Sequence, residues 1–524
     1  MTTPSEEAAR RRTFAIISHP DAGKTTLTEK FLLYGGALSS EAGAVKGRGN
    51  QRGTTSDWME LERQRGISVT STVLSFPFRD LVLNLLDTPG HRDFSEDTYR
   101  VLAAADAAIM VLDAAKGIEA QTYKLFEVCR RRGVPLLTFI NKWDRPGLEP
   151  LDLLDEIESK LDLPVAPVTW PVGIAGDFRG VIDRRTGEFT RFTRTAHGAT
   201  RAHEELVVAT VAQAEEGDAW TVASDELELL DGAGGELDPK AFLAGESSPT
   251  FFGSALTNFG VGALLDAVAD LAPAPEPREA LDGTPRGLDD PLSGFVFKVQ
   301  ANMDPNHRDR IAYFRVCSGE FERGVALTHA QSGKPVATKY AHSVFGAERE
   351  TVDTAYPGDV VGLVGASALR VGDTIFHDTP VEFAGIPSFA PEHFRTARPA
   401  DIGRFKQFRS GIAQLDEEGV IQVLRDPDLG DQAPVLAAVG PMQFDVAMHR
   451  LEHEFGAPAR LEPTSWKVAR RTDEDSEAEL RRMPGTTVLH RADGTRLALF
   501  ENPFWLDRLA ADHPGLTLEK LPAQ

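Results

Sequence analysis

Phe14-Ala15-Ile16-Ile17-Ser18-His19-Pro20-Asp21-Ala22-Gly23-Lys24-Thr25-Thr26 is the stretch from which the rest of this sequence is read. Phe14 to Ile17 is a short apolar, partly β-branched run, the pattern of a buried strand. From Lys24 onward, Leu27, Phe31 and Tyr34 fall along one helix face. A strand, a tight loop and a helix N-terminus in that order form an anion site. Backbone N–H groups converge on it, the helix dipole favours negative charge, and a lysine stands at the mouth. The loop approaches the phosphate-binding pattern G-x-x-x-x-G-K-[ST], with Ser18 in place of the leading glycine and Gly23, Lys24 and Thr25 in the last three places. Gly23 lets phosphates approach the backbone, Lys24 reaches the β and γ oxygens, and the Thr25 hydroxyl is placed for Mg²⁺. A chance Gly-Lys-Thr in a turn is the alternative, and the downstream motifs weigh against it.

Asp87-Thr88-Pro89-Gly90-His91 follows the apolar run Leu81 to Leu86. A carboxylate at that strand end can hold Mg²⁺ directly or through water. The Gly90 amide can sense a γ-phosphate, and the side chain just after it can face an attacking water. Asn141-Lys142-Trp143-Asp144 follows the strand pattern Leu136 to Ile140. The Asp144 carboxylate can accept from guanine N1–H and the 2-amino group together. Adenine offers neither donor, and a buried carboxylate left unpaired costs several kcal/mol, roughly enough to select guanine. Asn141 braces this loop, and the Lys142 stem lies along the base. Ser254-Ala255-Leu256 follows a last strand, Thr250 to Gly253, and its backbone can cap guanine O6. Arg65-Gly66-Ile67-Ser68 lies between the phosphate loop and Asp87. A hydroxyl there can complete a Mg²⁺ shell when a γ-phosphate is present, giving an ordered–disordered switch. An ordinary strand entry is the alternative for these four residues.

Outside these motifs, the 524 residues suggest about three domains at ~100–200 residues each. Residues 1–279 alternate strand and helix patterns, so an α/β domain with a mostly parallel sheet is expected. In such sheets ligands sit beyond the carboxyl ends of the strands, where the motifs fall. An acidic, loosely patterned insertion is expected over about 183–249, and a Pro-rich linker opens with Ala272-Pro273-Ala274-Pro275-Glu276-Pro277. Residues 280–386 show short strands punctuated by glycine, the pattern of a β-barrel. Residues 387–524 read as an α+β sandwich, with Ile402, Phe405, Phe408, Ile412 and Leu415 marking one helix and Phe444, Met448, Leu451 and Phe455 a second. The net charge of −23 argues against coating nucleic acid by bulk attraction. Local contacts to RNA stay possible at Arg10 to Arg12, Arg130 to Arg132, Arg308 with Arg310, and Arg404, Lys406 and Arg409. No apolar run is long enough to span a membrane, and the N-terminus has no apolar stretch of a secretory signal. With Cys129 and Cys317 its only cysteines, the chain offers no disulfide framework or zinc site and suits the cytoplasm.

Together, SHPDAGKT, RGIS, DTPGH, NKWD, SAL and the barrel segment AYPGDVVGL resemble the translational GTPases. The closer resemblance is to their bacterial peptide-chain release factor 3 family. It is carried by KGRG near Lys46, SDWMELERQRGIS from Ser56, DFSEDTYR from Asp93, GFVFKVQANMDPNHRDR from Gly294 and PMQFDVAMHRLEHEFG from Pro441. The residues beyond the barrel make roughly one domain, fewer than elongation factor G carries. The resemblance implies binding of GTP or GDP with Mg²⁺, and a ribosome-stimulated GTPase of termination that frees codon-reading class I release factors after peptide release. It implies that His91 orients the water, that Thr25 and Ser68 ligate Mg²⁺ with Asp87 nearby, and that ribosomal RNA and proteins are the partners of a monomer. Ser68 replaces the usual switch threonine and loses a methyl, so its loop should pack less firmly. An elongation-type factor and a non-hydrolysing, nucleotide-gated RNA-binding module are the alternatives, with a P-loop ATPase more remote.

Overall fold

The structure, a computed structural model, describes residues 2–36, 71–89, 93, 95–193, 203–301, 310–345, 348–366, 368–386 and 389–521. The expected switch residues Arg65 to Ser68, together with Gly90, His91 and Arg308, lie outside these.

After a short N-terminal helix α1 (Pro4–Ala9), β1 (Arg11–Ser18) runs through the centre of a seven-stranded sheet. The sheet also holds β2 (Thr72–Phe78), β3 (Leu81–Asp87), β4 (Ala107–Asp113), β5 (Leu136–Asn141), β6 (Val165–Pro167) and, later in the chain, β11 (Ser248–Phe252), in the order β2-β3-β1-β4-β5-β11-β6. Only β2 runs antiparallel to its neighbour. The strands are apolar on both faces because both are covered. Phe14 and Ile16 of β1 pack into one core, Ala15 and Ile17 into the other. The helices α2 (Lys24–Tyr34), α3 (Ser95–Leu102), α4 (Ala120–Arg132) and α5 (Pro150–Leu161) connect the strands, and α9 (Val261–Leu271) follows β11.

The expected loose insertion is instead a folded subunit that begins upstream of 183. An antiparallel sheet of β7 (Thr169–Val172), β8 (Gly180–Asp183), β9 (Phe189–Thr193) and β10 (His203–Val207) carries α6 (Ala209–Glu216), α7 (Asp218–Ala233) and the short α8 (Pro239–Leu243). Trp170, Phe189 and Trp220 sit in the same core as the central sheet. Strands of four or five residues are too short to give a periodic signal, which is why the sequence read as loose.

The Pro-rich linker is itself structured. Arg278–Glu279 and Pro285–Arg286 pair as a small hairpin, and Ala280 bridges to Phe383. Beyond it, an eight-stranded sheet joins Pro335–Val336, Leu327–His329, Thr374–Phe376, Ser293–Ala301, Arg310–Ser318, Val360–Val364, Ala341–Phe345 and Glu348–Thr351 in that order. A shift of register between Val296 and Lys298 marks a bulge. Lys298, just past it, donates to the Ser71 carbonyl beside β2.

The third unit is a seven-stranded sheet, antiparallel in every pairing, with α10 (Phe405–Glu418) and α11 (Met442–His453) on one core. Its later strands, Val468–Thr472, Thr486–His490 and Arg496–Phe500, and the helices α12 (Glu474–Leu480) and α13 (Pro503–Asp512) build a further core. One arginine from each of two basic patches is internal cement. Arg11 Nε donates to Asp359 at 2.7 Å, and Arg310 pairs with Glu417 at 2.5 Å.

Candidate functional site

β1 ends at Ser18, and the loop 19–22 leads to Gly23, the residue preceding α2. Gly23 has φ +98°, and a Cβ there would lie 2.3 Å from Asn141 Nδ2. Glycine is therefore demanded twice, by the left-handed backbone and by space. Lys24 and Thr25 open α2, so the ammonium and hydroxyl project from its first turn. Lys24 Nζ meets Asp87 Oδ1 at 2.5 Å, with side chains 5% and 2% exposed. The end of β3 is pinned beside the loop, since Thr88 Oγ1 donates to the Ile16 carbonyl at 2.5 Å. Ser18 Oγ and His19 Nε2 are buried with no hydrogen-bond partner among the described residues. His19 Nδ1 lies 2.6 Å from Glu119 Oε2, and burial pushes the imidazole below its usual range against the pull of that carboxylate.

The loop after β5 closes on the same place. Asn141 Nδ2 donates to the Ala22 carbonyl at 2.7 Å, and Asn141 Oδ1 accepts from the Ala255 amide at 2.8 Å. One side chain thus joins the phosphate loop, the NKWD loop and the SAL loop. Trp143 is buried edge-on against Phe252, and its amide donates to the Gly253 carbonyl at 3.1 Å. Asp144 Oδ1 accepts from Ser254 Oγ at 2.6 Å. Leu256 is exposed. Lys142, with φ +67°, sends Nζ to Asp113 Oδ2 at 2.8 Å. Burial alone would raise the Asp113 carboxylate; the Lys142 ammonium and the Ala115 amide overcome it and hold the group below the ordinary range.

The structure gathers residues Ser18 to Thr26, Asp87 to Pro89, Asn141 to Asp144 and Ser254 to Leu256 at one end of the sheet; Ser68, Gly90 and His91 lie outside the described residues. Asp113 and Glu119 are additions. Asp113 ends β4 as Asp87 ends β3, so the strand-end pattern was available to mark it; nothing in sequence marked Glu119. The buried Ser18 hydroxyl, the cradle that a Gly23 Cβ would fill and the Lys24–Asp87 pair suit a nucleotide phosphate with a divalent cation. Among the described residues no cluster of three or more His, Cys, Asp or Glu side chains offers a cation a protein-only site.

Family comparisons divide the chain in the same sequence order as the structure. The Elongation factor Tu GTP binding domain matches residues 9–274, Elongation factor G domain 2 matches 291–378, and the Class II release factor RF3 C-terminal domain matches 383–510. A Synechococcus elongatus protein named peptide chain release factor 3 is 50% identical over 521 residues, covering 98% of this chain and 94% of its own. A Gloeobacter violaceus protein of the same name is 50% identical over 528 residues, covering 99% of each. The chain belongs to the release factor 3 family. Among solved structures, a Thermus thermophilus protein shares the fold, with TM-score 0.68 at 24% identity, over 93% of this chain and 72% of that one.

In this release factor 3 chain, a translational GTPase of termination, the nucleotide unit is joined directly to the family's C-terminal domain. Asp93 Oδ2, next after the DTPGH segment and Arg92, accepts from the Met442 amide at the start of α11 at 2.7 Å. On α3, Glu96 holds Arg100 at 2.7 Å, Arg100 donates to the Gly419 carbonyl at 3.3 Å, and Tyr99 meets Phe389 edge-to-face at 5.2 Å. DFSEDTYR and PMQFDVAMHRLEHEFG, two of the segments that carry the family resemblance, touch through Asp93 and Met442.

Proposed function

We propose that the chain is a ribosome-stimulated GTPase that binds GTP and GDP with Mg²⁺ and promotes release and recycling of class I release factors after peptide release. It acts as a monomer on ribosomal RNA and protein in the cytoplasm. The observation that carries this reading is the Asn141 side chain, which ties the loop leading into Lys24 to the Ser254-Ala255-Leu256 loop, whose Ser254 hydroxyl also donates to Asp144. Lys24 receives the β and γ oxygens, Asp144 accepts from guanine, and the SAL backbone caps the O6. Thr25, Asp87 and Ser68 would hold the cation, which when bound neutralises phosphate charge.

An incoming triphosphate competes with Asp87 for Lys24, and losing that ammonium frees the Asp87 carboxylate. Gly90 and His91 follow within four residues, and the contacts of Asp93 and α3 with the C-terminal domain come next. Nucleotide state is thereby coupled to the position of the C-terminal domain. His91 orients the attacking water, and hydrolysis without the ribosome is slow.

The test is GTP hydrolysis and class I factor turnover, each with and without termination complexes. Stimulation by the complexes, lost in His91→Ala, is expected. Free turnover above about 1 s⁻¹, the lower end of typical enzyme rates, would overturn the reading.

A further inference from the structure

A cavity of about 210 Å³ lies where the nucleotide unit, the linker and the barrel meet. Asp106 and Arg132 line it from the first, Glu276 and Arg278 from the second, and Arg315 and Cys317 from the third. Glu276 is exposed, so the mouth lies on the surface at the linker. The electrostatics of this cavity do not balance. Arg315 is satisfied: it donates to both Asp106 oxygens at 2.6 and 2.7 Å and to the Ala104 carbonyl at 2.6 Å. That takes up the interior carboxylate.

Arg278 lays its guanidinium over the Phe295 ring at 3.9 Å, with Phe383 at 5.5 Å, and Arg132 lies over Tyr99 at 5.2 Å. Among the described residues neither guanidinium has a hydrogen bond or a carboxylate partner. Burial pulls the Arg278 pKa down, and the charges of Arg315 and Arg132 push the same way against Cys317 and Asp106. An aromatic ring covers the flat face of a guanidinium and leaves its N–H edge free, and that edge matches an oxyanion with two parallel bonds.

We propose that this cavity binds a small multivalent oxyanion, held between Arg278 of the linker and Arg132 of the nucleotide unit. It is smaller than the ~300–1,000 Å³ of pockets for drug-sized ligands, so a nucleotide does not fit and a phosphate or a compact polycarboxylate does. The bound anion cross-links the linker to the nucleotide unit, and stabilises their arrangement by mass action. This site is separate from the nucleotide pocket.

The test uses the full chain saturated with GDP, so that the phosphate loop is filled. Inorganic phosphate and citrate are titrated in parallel at constant ionic strength, with chloride as control, read by calorimetry and thermal unfolding. A saturable, single-site signal is expected. Phosphate alone giving it assigns the phosphoryl class; citrate alone assigns the carboxylate class. Arg278→Gln is expected to weaken the anion about tenfold or more, as loss of a charge-assisted bidentate contact does, with GDP affinity unchanged. Arg132→Gln, at a half-exposed position, gives the same readout should Arg278→Gln fold poorly. A rise in melting temperature that never saturates and matches chloride overturns the proposal, as does undiminished binding in both variants.

Discussion

Asn141 and Ala22 are joined by a 2.7 Å hydrogen bond from side-chain amide to carbonyl, which ties the loop after β5 to the loop after β1. The other end of the same amide holds Ala255 at 2.8 Å. Asn141→Ala removes both and leaves a buried carbonyl and a buried N–H unpaired, at about 1–3 kcal/mol each. GDP affinity should fall at least about tenfold, which isothermal calorimetry would show. Asn141→Asp keeps the acceptor but turns a carboxylate oxygen toward the Ala22 carbonyl, and should bind no better than the alanine variant.

Gly23→Ala tests the phosphate loop against a matched control. The new methyl meets Asn141 Nδ2 at 2.3 Å in a backbone with φ +98°. Gly133 after α4 has φ +64° and open space where its Cβ would be. Both variants carry strain of about 1–3 kcal/mol, visible as a lower melting temperature. Only Gly23→Ala should also lose nucleotide binding. Equal GDP affinities in the two would show that the close approach to Asn141 plays no part.

Arg315 and Asp106 bind the barrel to the nucleotide unit through a buried, two-pronged ion pair. Burial raises the Asp106 carboxylate even against Arg315, so it would be costly alone. Arg315→Met leaves that carboxylate with only the Thr13 side chain and the Arg278 charge to offset its burial, and should destabilise by about 3–5 kcal/mol. Adding Asp106→Leu should recover much of the loss, since two apolar side chains replace a pair whose desolvation offsets its attraction. Thermal unfolding of the single and double variants measures this directly; a double variant no better than the single would sink the account.

Asp416 of α10 gives a pH dependence whose sign can be worked out. Burial pushes its carboxyl up to about 6, although Val423 donates to it at 2.9 Å and Arg425, Arg370 and Arg491 pull the other way. The native state keeps this proton between pH 4 and 6, roughly, while the unfolded chain, near its ordinary value of ~3.9, releases it. This group's contribution to stability therefore falls as pH rises through that window and stays low above it. Asp416→Asn keeps an oxygen for the Val423 amide and removes the penalty. The variant should melt higher than the parent at pH 7.5, with the gap closing toward pH 4.

The central sheet was legible in sequence because β1, β3, β4 and β5 are largely apolar runs that end at Ser18, Asp87, Asp113 and Asn141. The same regularity exposed Lys24, Asp87 and Asn141. Short strands such as Gly180–Asp183, in the acidic insertion, escaped because four residues cannot establish a period. The strands after Phe455 escaped similarly, with polar outer faces and one core built from distant pieces. Arg278 looked like part of a spacer. Its burial comes from Phe295 and Phe383, which lie 17 and 105 residues further on by number, and no local pattern announces such a contact.

Gly440 is where the coupling between nucleotide site and C-terminal domain can be broken most cleanly. A Cβ there would lie 2.1 Å from Asp93 Cγ, while Asp93 holds the Met442 amide at 2.7 Å. Gly440→Ala therefore wedges α11 away from the segment that follows DTPGH, without touching the nucleotide pocket. GDP affinity of the free protein should change by less than about tenfold, or 1.4 kcal/mol. Ribosome-stimulated hydrolysis and release-factor turnover should fall much further, because a pocket that changes state no longer moves the domain it is attached to. Gly385→Ala, where the added methyl meets nothing within 4 Å, is the control and should behave as the parent. If Gly440→Ala retains full turnover, the Asp93–Met442 contact is a packing detail and the C-terminal domain must receive the nucleotide signal by another route.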